Sequence, residues 1–304
     1  MLAMSSLLTS ATFAKLFRKT QERARDKVRE FLIDSNEEAI HDLRVSIRRL
    51  DSSLRIFPNN IRSRQKTSDY RSQYKELFKI NSEIRDIDII SSKLKKYRTR
   101  IALDRAKSLE QDLQEQRSEK LKEARENALL ANNLKPLQID KNDISDRKLQ
   151  QRFQRVVTRF AGRIDQRLPI VTSDIGKVKE LHELRKDCKK LRYTLEVLDS
   201  QARQNKLVLS LIEYLEDLQD VLGSIHDCDV MIQYLKAAYP DYLTSGGEIS
   251  NYHAMVRIGQ EERQALYHAL VDLHGGNIDD EDKKGDLSLP ENGGRRMIKI
   301  AAAQ

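Results

Sequence analysis

The sequence is poor in several residue types, and each shortage narrows the class of protein. There is no tryptophan among 304 residues, and only 11 glycines and 5 prolines interrupt the chain. So few helix-breaking residues, in a chain rich in Leu, Lys, Arg, Glu and Gln, are typical of an almost wholly helical protein. The two cysteines, Cys188 and Cys228, are too few for a disulfide framework and suit a reducing, cytoplasmic compartment.

Long apolar runs are also missing. No stretch approaches the roughly 18 consecutive apolar residues that a membrane-spanning helix requires. The N-terminal segment 1–19 has no acidic residue, but it lacks the charged-then-apolar order of a secretory signal, so we interpret it as the start of the first helix. Positive charge is in excess, with 55 Lys and Arg against 47 Asp and Glu. This excess favours a polyanionic partner, although a solvated basic surface would have the same composition.

The same sequence pattern occurs twice in the chain, at a constant offset of 141 positions. The stretch HDLRVSIRRL at 41–50 aligns in this way with HELRKDCKKL at 182–191. Without a change of offset, EIRDIDII at 83–90 aligns with SIHDCDVM at 224–231. Two motifs with the same separation in both halves indicate a tandem duplication.

The duplication and the scarcity of helix breakers together predict an all-α protein, whose internal tandem repeat forms two pseudo-symmetric four-helix bundles. We assign the first repeat to residues 1–135 and the second to 136–275, and we expect the Gly-, Asp- and Lys-rich tail 276–304 to be disordered. The helices are predicted at about 5–32, 36–57, 62–97 and 100–130, then at about 146–167, 174–200, 204–238 and 249–272.

The prolines support these boundaries. Pro136 lies in the linker between the repeats, residues 132–143. Pro58 and Pro240 are expected to end helices, because proline has no backbone N–H with which to continue one. For the same reason, Pro169 is expected to lie in the break after the first helix of the second repeat.

The segment 41–57 combines an apolar stripe with a row of positive charge. On a helix with about 100° per residue, the charged row falls within an arc of about 60°, and the apolar residues lie on the opposite side. The row consists of His41, Arg44, Arg48 and Arg55, and the stripe of Leu43, Ile47, Leu50, Leu54 and Phe57. The face that would enter a bundle core is therefore separate from the face that carries the charge.

The second repeat has the same two faces on segment 181–198. Its row consists of His182, Arg185 and Lys189, and its stripe of Leu184, Cys188, Leu191, Leu195 and Leu198. Glu196 stands where Arg55 stands, so this row is less basic at its end. Like charges at i, i+3 and i+4 slightly destabilise a helix, so two such rows, each headed by a histidine, favour an anion site over a solvated basic face.

The second shared motif carries Arg85 followed by Asp86 in the first repeat, and His226 followed by Asp227 in the second. A site in a four-helix bundle can lie between facing helices, so Arg85 and His226 could reach the same anion as the basic rows. They could equally form ion pairs that only order the bundle. The sequence leaves both interpretations open.

At these two motifs the chain resembles the CHAD family, the conserved-histidine α-helical domain. The resemblance extends over about residues 5–272 and includes both repeats. It implies two pseudo-symmetric four-helix bundles with basic residues lining a central pore or cleft. It also implies non-enzymatic binding of inorganic polyphosphate, without a cofactor, and an association with cytoplasmic polyphosphate granules.

Carried over position by position, the resemblance implies a set of polyphosphate-binding residues. These are His41, Arg44, Arg48 and Arg49 in the first repeat and His182, Arg185, Lys189, Lys190 and Arg192 in the second. The basic rows and the second motif add Arg55, Arg85 and His226, and first-helix cations related by the same offset add Arg18 and Arg159. The repeats are not identical, since Asp51 stands opposite Arg192 and His226 opposite Arg85, so they need not bind equally.

Two other classes of function fit the sequence less well. A metal site is not expected, because each row has one histidine among Arg and Lys, which do not ligate metals and would repel a cation. A phosphohydrolase or kinase is not expected either, because the chain has no glycine-rich phosphate-binding loop, and a helical D-x-D directs its two carboxylates to different sides. CHAD domains are often fused to a triphosphate-tunnel domain, but no such segment occurs here, so that enzyme's activity is not carried over.

Nucleic-acid binding is the alternative that the sequence leaves open. A basic row would serve RNA as well as polyphosphate. Against RNA, the chain has no tryptophan for base stacking and no evident module for sequence readout.

Overall fold

The computed structural model describes residues 8–101, 107–198, 205–244 and 248–275. In these ranges the secondary structure is helical, with no β-strand, which confirms the predicted all-α class. The long helices are α1 Ser10–Ile33, α2 Glu37–Ile56, α3 Gln65–Ile101, α4 Lys107–Asn133, α5 Asp146–Ser173, α6 Val178–Leu195, α7 Lys206–Thr244 and α8 Ile249–Gly275. A one-turn helix, Asn59–Arg62, and a 3-10 turn, Lys141–Asp143, complete the described elements. The tail 276–304, predicted to be disordered, lies outside the described residues.

Several helices begin where side chains can cap them. The Thr9 hydroxyl accepts a hydrogen bond from the backbone N–H of Thr12 at the start of α1, and Asn36 caps α2 in the same way through Ala39. Ser145 caps α5. Such a side chain satisfies one of the backbone donors that have no partner in the first turn. The predicted helix starts at 36 and 146 therefore agree with the structure to within one residue.

Two of the proline predictions are wrong. Pro169 lies inside α5 and Pro240 inside α7, and each helix continues for about one more turn. A proline near the C-terminal end removes only one helical hydrogen bond. Burial of the following turn offsets that loss, because Val171 and Tyr242 are almost completely buried. The prediction for Pro58 is confirmed, since α2 ends at Ile56.

Each half of the chain has the same pattern of helix neighbours. In the first half α1 packs against α2 and α4, and α3 packs against the same two helices. In the second half α5 and α7 both pack against α6 and α8. Across the halves, α2 contacts α5 and α6, while α3 contacts α7 and α8. The helices α2 and α6, which carry the duplicated stretches 41–50 and 182–191, therefore lie side by side.

The apolar stripes predicted from the sequence form the core. The five stripe residues of α2 and its C-cap are at most 2% exposed. The same is true of the five stripe residues of α6 and the turn after it. One continuous buried cluster includes residues of both halves, Leu50 and Leu191 among them. A second, smaller apolar cluster joins the distal part of α3 to α4, α7 and α8, through residues such as Leu94 and Met231. The two halves therefore share their core.

Candidate anion-binding site

The basic rows of α2 and α6 meet between the two halves of the molecule. Arg44 interacts electrostatically with Arg48 on its own helix and with Arg185 on α6. Lys189 of α6 is in turn repelled by Arg48, Arg185 and Arg44. All four side chains are half-buried. We call Arg44, Arg48, Arg185 and Lys189 the central cluster.

The central cluster has no direct counterion in the part of the chain that the structure describes. None of its four cations lies within 4.0 Å of a described carboxylate, whereas neighbouring cations such as Arg49 and Lys190 do have such partners. The Nε atoms of Arg44 and Arg185 are buried and lack a hydrogen-bond partner among the described residues. These two arginines occupy equivalent positions in the two repeats. Buried N–H donors without an acceptor are costly, so an anion that accepts from them would be stabilising.

One aspartate from the third helix of each half borders the central cluster. These residues are Asp86 on α3 and Asp227 on α7. Burial raises the pKa of Asp86 and of Asp227, while Arg44 and Arg185 act in the opposite direction on Asp86. Neither carboxylate is close enough to form a 4.0 Å ion pair with the cluster. They reduce the net positive charge around Arg44 and Arg185.

Burial and like-charge repulsion perturb the cations themselves. Burial lowers the pKa of Arg44 to about 9, and repulsion by Arg48 adds to the effect. Burial lowers the pKa of Lys189 to about 6, again with help from Arg48 and Arg185. Both side chains are therefore harder to protonate than in water, and Lys189 more so than Arg44.

An aromatic ring supports the α2 row. The guanidinium carbons of Arg44 and Arg48 lie 5.7 and 5.2 Å from the centroid of Phe78, on α3. A cation over an aromatic face is attracted by the ring quadrupole. Phe78 therefore holds both side chains in place without neutralising them.

The histidines differ between the repeats. The Nδ1 atoms of His182 and His226 are 3.2 Å apart, so one ring can donate a hydrogen bond to the other. Burial lowers the pKa of His226 to about 3, with Arg185 and His182 adding to the effect. In the first repeat Arg85 occupies the place of His226 and lies 3.7 Å from Glu37, while His41 is exposed and its pKa is lowered by burial and by Arg85. Both interpretations of the second motif thus find support.

Besides Arg85, which lies 3.7 Å from Glu37, four candidates from the sequence are held by carboxylates. Arg49 Nε lies 2.9 Å from Glu196, and Lys190 Nζ lies 3.6 Å from Asp187. The remaining pairs are Arg192 with Glu196 at 3.2 Å, Arg192 with Glu216 at 2.7 Å, and Arg55 with Asp51. Asp51, Asp187 and Glu196 lie three or four positions from Arg55, Lys190 and Arg192, respectively. The contacts of Glu196 with Arg49 and of Glu216 with Arg192, in contrast, join different helices and cannot be read from helical spacing. The structure does not place these four cations in the central cluster.

Comparison with known proteins identifies the architecture. The family model for the CHAD domain matches residues 11–236. This chain belongs to the CHAD-domain family. The crystal structure of the CHAD domain from the plant Ricinus communis superposes with a TM-score of 0.58 at 16% identity, over 96% of this chain and 92% of that one. At this identity the likeness establishes a shared fold alone, and a search of curated proteins gave no match.

The two first-helix candidates of the CHAD domain lie in different surroundings. Arg18 is exposed on α1, beside the chain that links the repeats. Arg159 is exposed on α5, close to Arg55 and Arg152. Arg159 belongs to a group of arginines from several elements, which we call the peripheral arginine cluster. It consists of Arg55, Arg62, Arg71, Arg152, Arg155 and Arg159. The spacing of the arginines at 152, 155 and 159 is helical and could have indicated a shared face.

Two kinds of feature, a membrane-spanning helix and a metal-binding group, do not occur in the described part of this CHAD protein. No described helix is long and apolar enough to cross a membrane. No group of three or more His, Cys, Asp or Glu side chains among the described residues could hold a metal ion.

Proposed function

We propose that this CHAD protein binds inorganic polyphosphate, without catalysis and without a cofactor. The site would be a basic pore or cleft between two pseudo-symmetric four-helix bundles, residues 1–135 and 136–275. The observation that carries the proposal is the central cluster, in which basic side chains from both repeats face one another and no described carboxylate is in direct contact. Such an arrangement is destabilising in the free protein and is relieved by a ligand of high negative charge density.

The chemistry of polyphosphate suits this cluster. The ligand is a flexible chain with about one negative charge per phosphate and has no bases to read, so recognition depends on charge density and shape. Arg44, Arg48 and Arg185 can each donate two parallel hydrogen bonds to phosphate oxygens, and Lys189 supplies a point charge. His41, Arg85, His182 and His226 border the same space, with the carboxylate-held cations of both repeats further out. A protein with this activity would associate with polyphosphate granules in the cytoplasm.

Binding of RNA through the same basic surface is the alternative function. A nucleic acid would also neutralise the central cluster. However, the cations of the cluster are half-buried between helices, where a bare phosphate chain can enter more readily than a base-bearing strand. The only aromatic ring in contact with them among the described residues, Phe78, is already covered by two arginines.

Competition distinguishes the two ligands. We expect unlabelled polyphosphate to displace a labelled polyphosphate probe from the protein at a far lower phosphate concentration than transfer RNA does, because only the unsubstituted chain fits between the helices. The measurement is fluorescence anisotropy at fixed salt, with both competitors matched in total phosphate. Displacement by RNA at an equal or lower concentration would assign the site to nucleic acid instead.

The perturbed lysine makes binding depend on pH. Lys189, with a pKa of about 6, faces Arg44 and Arg48 on α2, Arg185 on its own helix and Asp227 on α7. A bound phosphate chain would raise this pKa, so we expect proton uptake on binding and an affinity that rises as the pH falls from about 8 to about 6. The lowered pKa values of His41, His182 and His226 place their contribution at the acidic end of this range or below it.

Calorimetry measures this proton uptake directly. Titrations at about pH 7.5 in two buffers that differ in ionisation enthalpy should give heats that differ in proportion to the protons taken up. A Lys189→Arg variant should bind with less uptake, because the guanidinium keeps its proton more readily than the amine does. Equal heats for the wild-type protein in the two buffers would contradict the role given to Lys189.

A further inference from the structure

Because the chain is duplicated, the central cluster has two ends at equivalent positions of the two repeats. In the structure, the charged residues at these two ends differ. Arg55 follows the row of α2, and Glu196 stands at the equivalent position after the row of α6. By the offset of the repeat, the two side chains should have the same surroundings. The residues around them, however, differ in charge at several positions.

The end at Arg55 is strongly cationic. Asp51 is the only described carboxylate within 4.0 Å of any member of the peripheral arginine cluster, and it is shared by Arg55 and Arg71. Arg152 Nε donates to the carbonyl oxygen of Arg55 at 3.1 Å, which ties α5 to the end of α2. Burial, followed by repulsion from Arg62 and three other arginines, lowers the pKa of Arg152 to about 10.

Several donors in this peripheral arginine cluster have no acceptor. Arg55 Nη1 and Arg62 Nε are buried without a hydrogen-bond partner among the described residues. Arg155 and Arg159 are exposed, and neither forms an ion pair with a described carboxylate. The cluster therefore has both buried donors that need an acceptor and exposed cations that could admit one from solvent.

The end at Glu196 is neutralised. Glu196 lies 2.9 Å from Arg49 and 3.2 Å from Arg192, and Glu216 lies 2.7 Å from Arg192. Several of the surrounding positions have lost their positive charge as well. Ala11, Ala14, Ile212 and Glu216 stand where the other end has Arg152, Arg155, Arg71 and Lys75. Arg18 and Arg203 keep the charge of their equivalents Arg159 and Arg62, and Lys19 and Arg23 lie near Glu196. This end therefore differs from the other mainly by its two glutamates and by the loss of Arg55, Arg71, Arg152 and Arg155.

The cationic end is continuous with the central cluster. Arg44, Arg48 and Arg55 lie on one face of α2, and the two turns from Arg48 to Arg55 span about 10 Å. Arg55 and Lys190 both lie over the ring of Phe160, at 5.3 and 5.6 Å from its centroid. Positive charge thus extends from the central cluster across this ring to α5, with Asp187 beside Lys190 and Asp51 beside Arg55 as the described acids in direct contact with it.

Resting on the function proposed above, we propose that a long polyphosphate chain leaves the central cluster at one end only, passing over Arg55 onto the peripheral arginine cluster, while Glu196 and Glu216 close the opposite end. The peripheral arginine cluster then acts as a second binding site. Only chains longer than the central cluster can reach it. Tripolyphosphate is held in the centre. Longer chains gain affinity from Arg155 and Arg159.

The double variant Arg155→Glu/Arg159→Glu tests this assignment, with tripolyphosphate and long-chain polyphosphate titrated separately. Both arginines are exposed and form no ion pair with a described carboxylate, so the fold should tolerate the change. We expect the affinity for long chains to fall by about tenfold or more, since each lost charge-assisted hydrogen bond accounts for roughly such a factor, and the affinity for tripolyphosphate to stay nearly constant. The matched control is Arg29→Glu/Arg257→Glu, which changes the net charge equally at two exposed helix positions.

The outcomes separate this inference from the proposed function. An equal loss for both ligands, or no loss for long chains, overturns the one-ended path. A wild-type protein that binds neither ligand overturns the proposed function itself. If the glutamate variant melts early, Arg155→Ala/Arg159→Ala provides the same comparison, and an unchanged long-chain affinity in that variant also overturns the path.

Discussion

Replacing Arg44 and Arg185 together with glutamate should nearly abolish polyphosphate binding while the protein stays folded. Each change removes a phosphate donor from the centre of the site and adds a carboxylate that repels the ligand. Each single variant should weaken binding substantially, and the double variant should also lower the dependence of log affinity on log salt by several units, because fewer counterions are released. Thermal stability should hold, since neither arginine belongs to the apolar stripe and the new carboxylates lie among Arg48 and Lys189.

Polyphosphate titration and thermal melting of the same samples provide the measurement. The control Arg29→Glu/Arg257→Glu changes the net charge by the same amount away from the central cluster and should bind almost normally. Leu50→Ala or Leu191→Ala should behave in the opposite way, with a loss of about 2–5 kcal/mol of stability and normal binding per folded molecule, because both leucines are fully buried. Early melting of the glutamate variants with normal binding per folded molecule would show that the rows are structural.

Polyphosphate should raise the melting temperature of the protein strongly. The free protein keeps the facing arginines Arg44, Arg48 and Arg185 without a direct counterion among the described residues. A ligand that binds only the folded state stabilises it in proportion to the logarithm of its concentration over its dissociation constant. At about 100 times the dissociation constant the gain is about 2.7 kcal/mol, and at about 1,000 times it is about 4.1 kcal/mol.

Orthophosphate at the same total phosphate is the control for this experiment. It should stabilise the protein much less, because a single phosphate cannot contact cations from both repeats at once. The measurement is a thermal melt over a series of ligand concentrations at fixed salt. Equal shifts with the two ligands would argue against a multidentate site.

Much of the fold could be predicted because the relevant information is local. The stripes of α2 and α6 are buried as their 3.6-residue periodicity indicated, and the capped starts of α2 and α5 coincide with the predicted boundaries. The errors at Pro169 and Pro240 arise from tertiary packing. The penalty of a proline can be read from the sequence, but the burial of Val171 and Tyr242 that offsets it cannot.

The candidate site could be predicted only in part for a related reason. Helical geometry placed Arg44, Arg48, Arg185 and Lys189 on two rows, and the structure brings these rows together. The same geometry cannot tell which cations are neutralised by another helix. Arg49, a ligand that the family resemblance implies, contacts Glu196 across the repeats, and helical spacing does not reveal this contact between residues 147 positions apart.

The peripheral arginine cluster is a second feature that the sequence alone does not predict. In this case the sequence does not reveal which cations lie together. Arg62, Arg71 and Arg152 come from three separate elements, and none belongs to a motif shared by both repeats. A search for duplicated residues therefore overlooks Arg71 and Arg152, whose equivalents are Ile212 and Ala11. The packing of α5 against α2 brings Arg152 to Arg55, and the packing of α3 against α2 brings Arg71 to the same aspartate, Asp51.

The core shared by the two halves has a consequence for the origin of the chain. A polypeptide with a single repeat would leave in water the apolar side chains that the other half now covers. Two copies related by a twofold axis would cover those surfaces for each other, as in an isologous homodimer. The duplicated chain is what such a dimer becomes when its subunits are joined in one gene. In a homodimer a substitution changes both subunits at once, whereas in the joined chain one end could keep Arg55 while the other acquired Glu196.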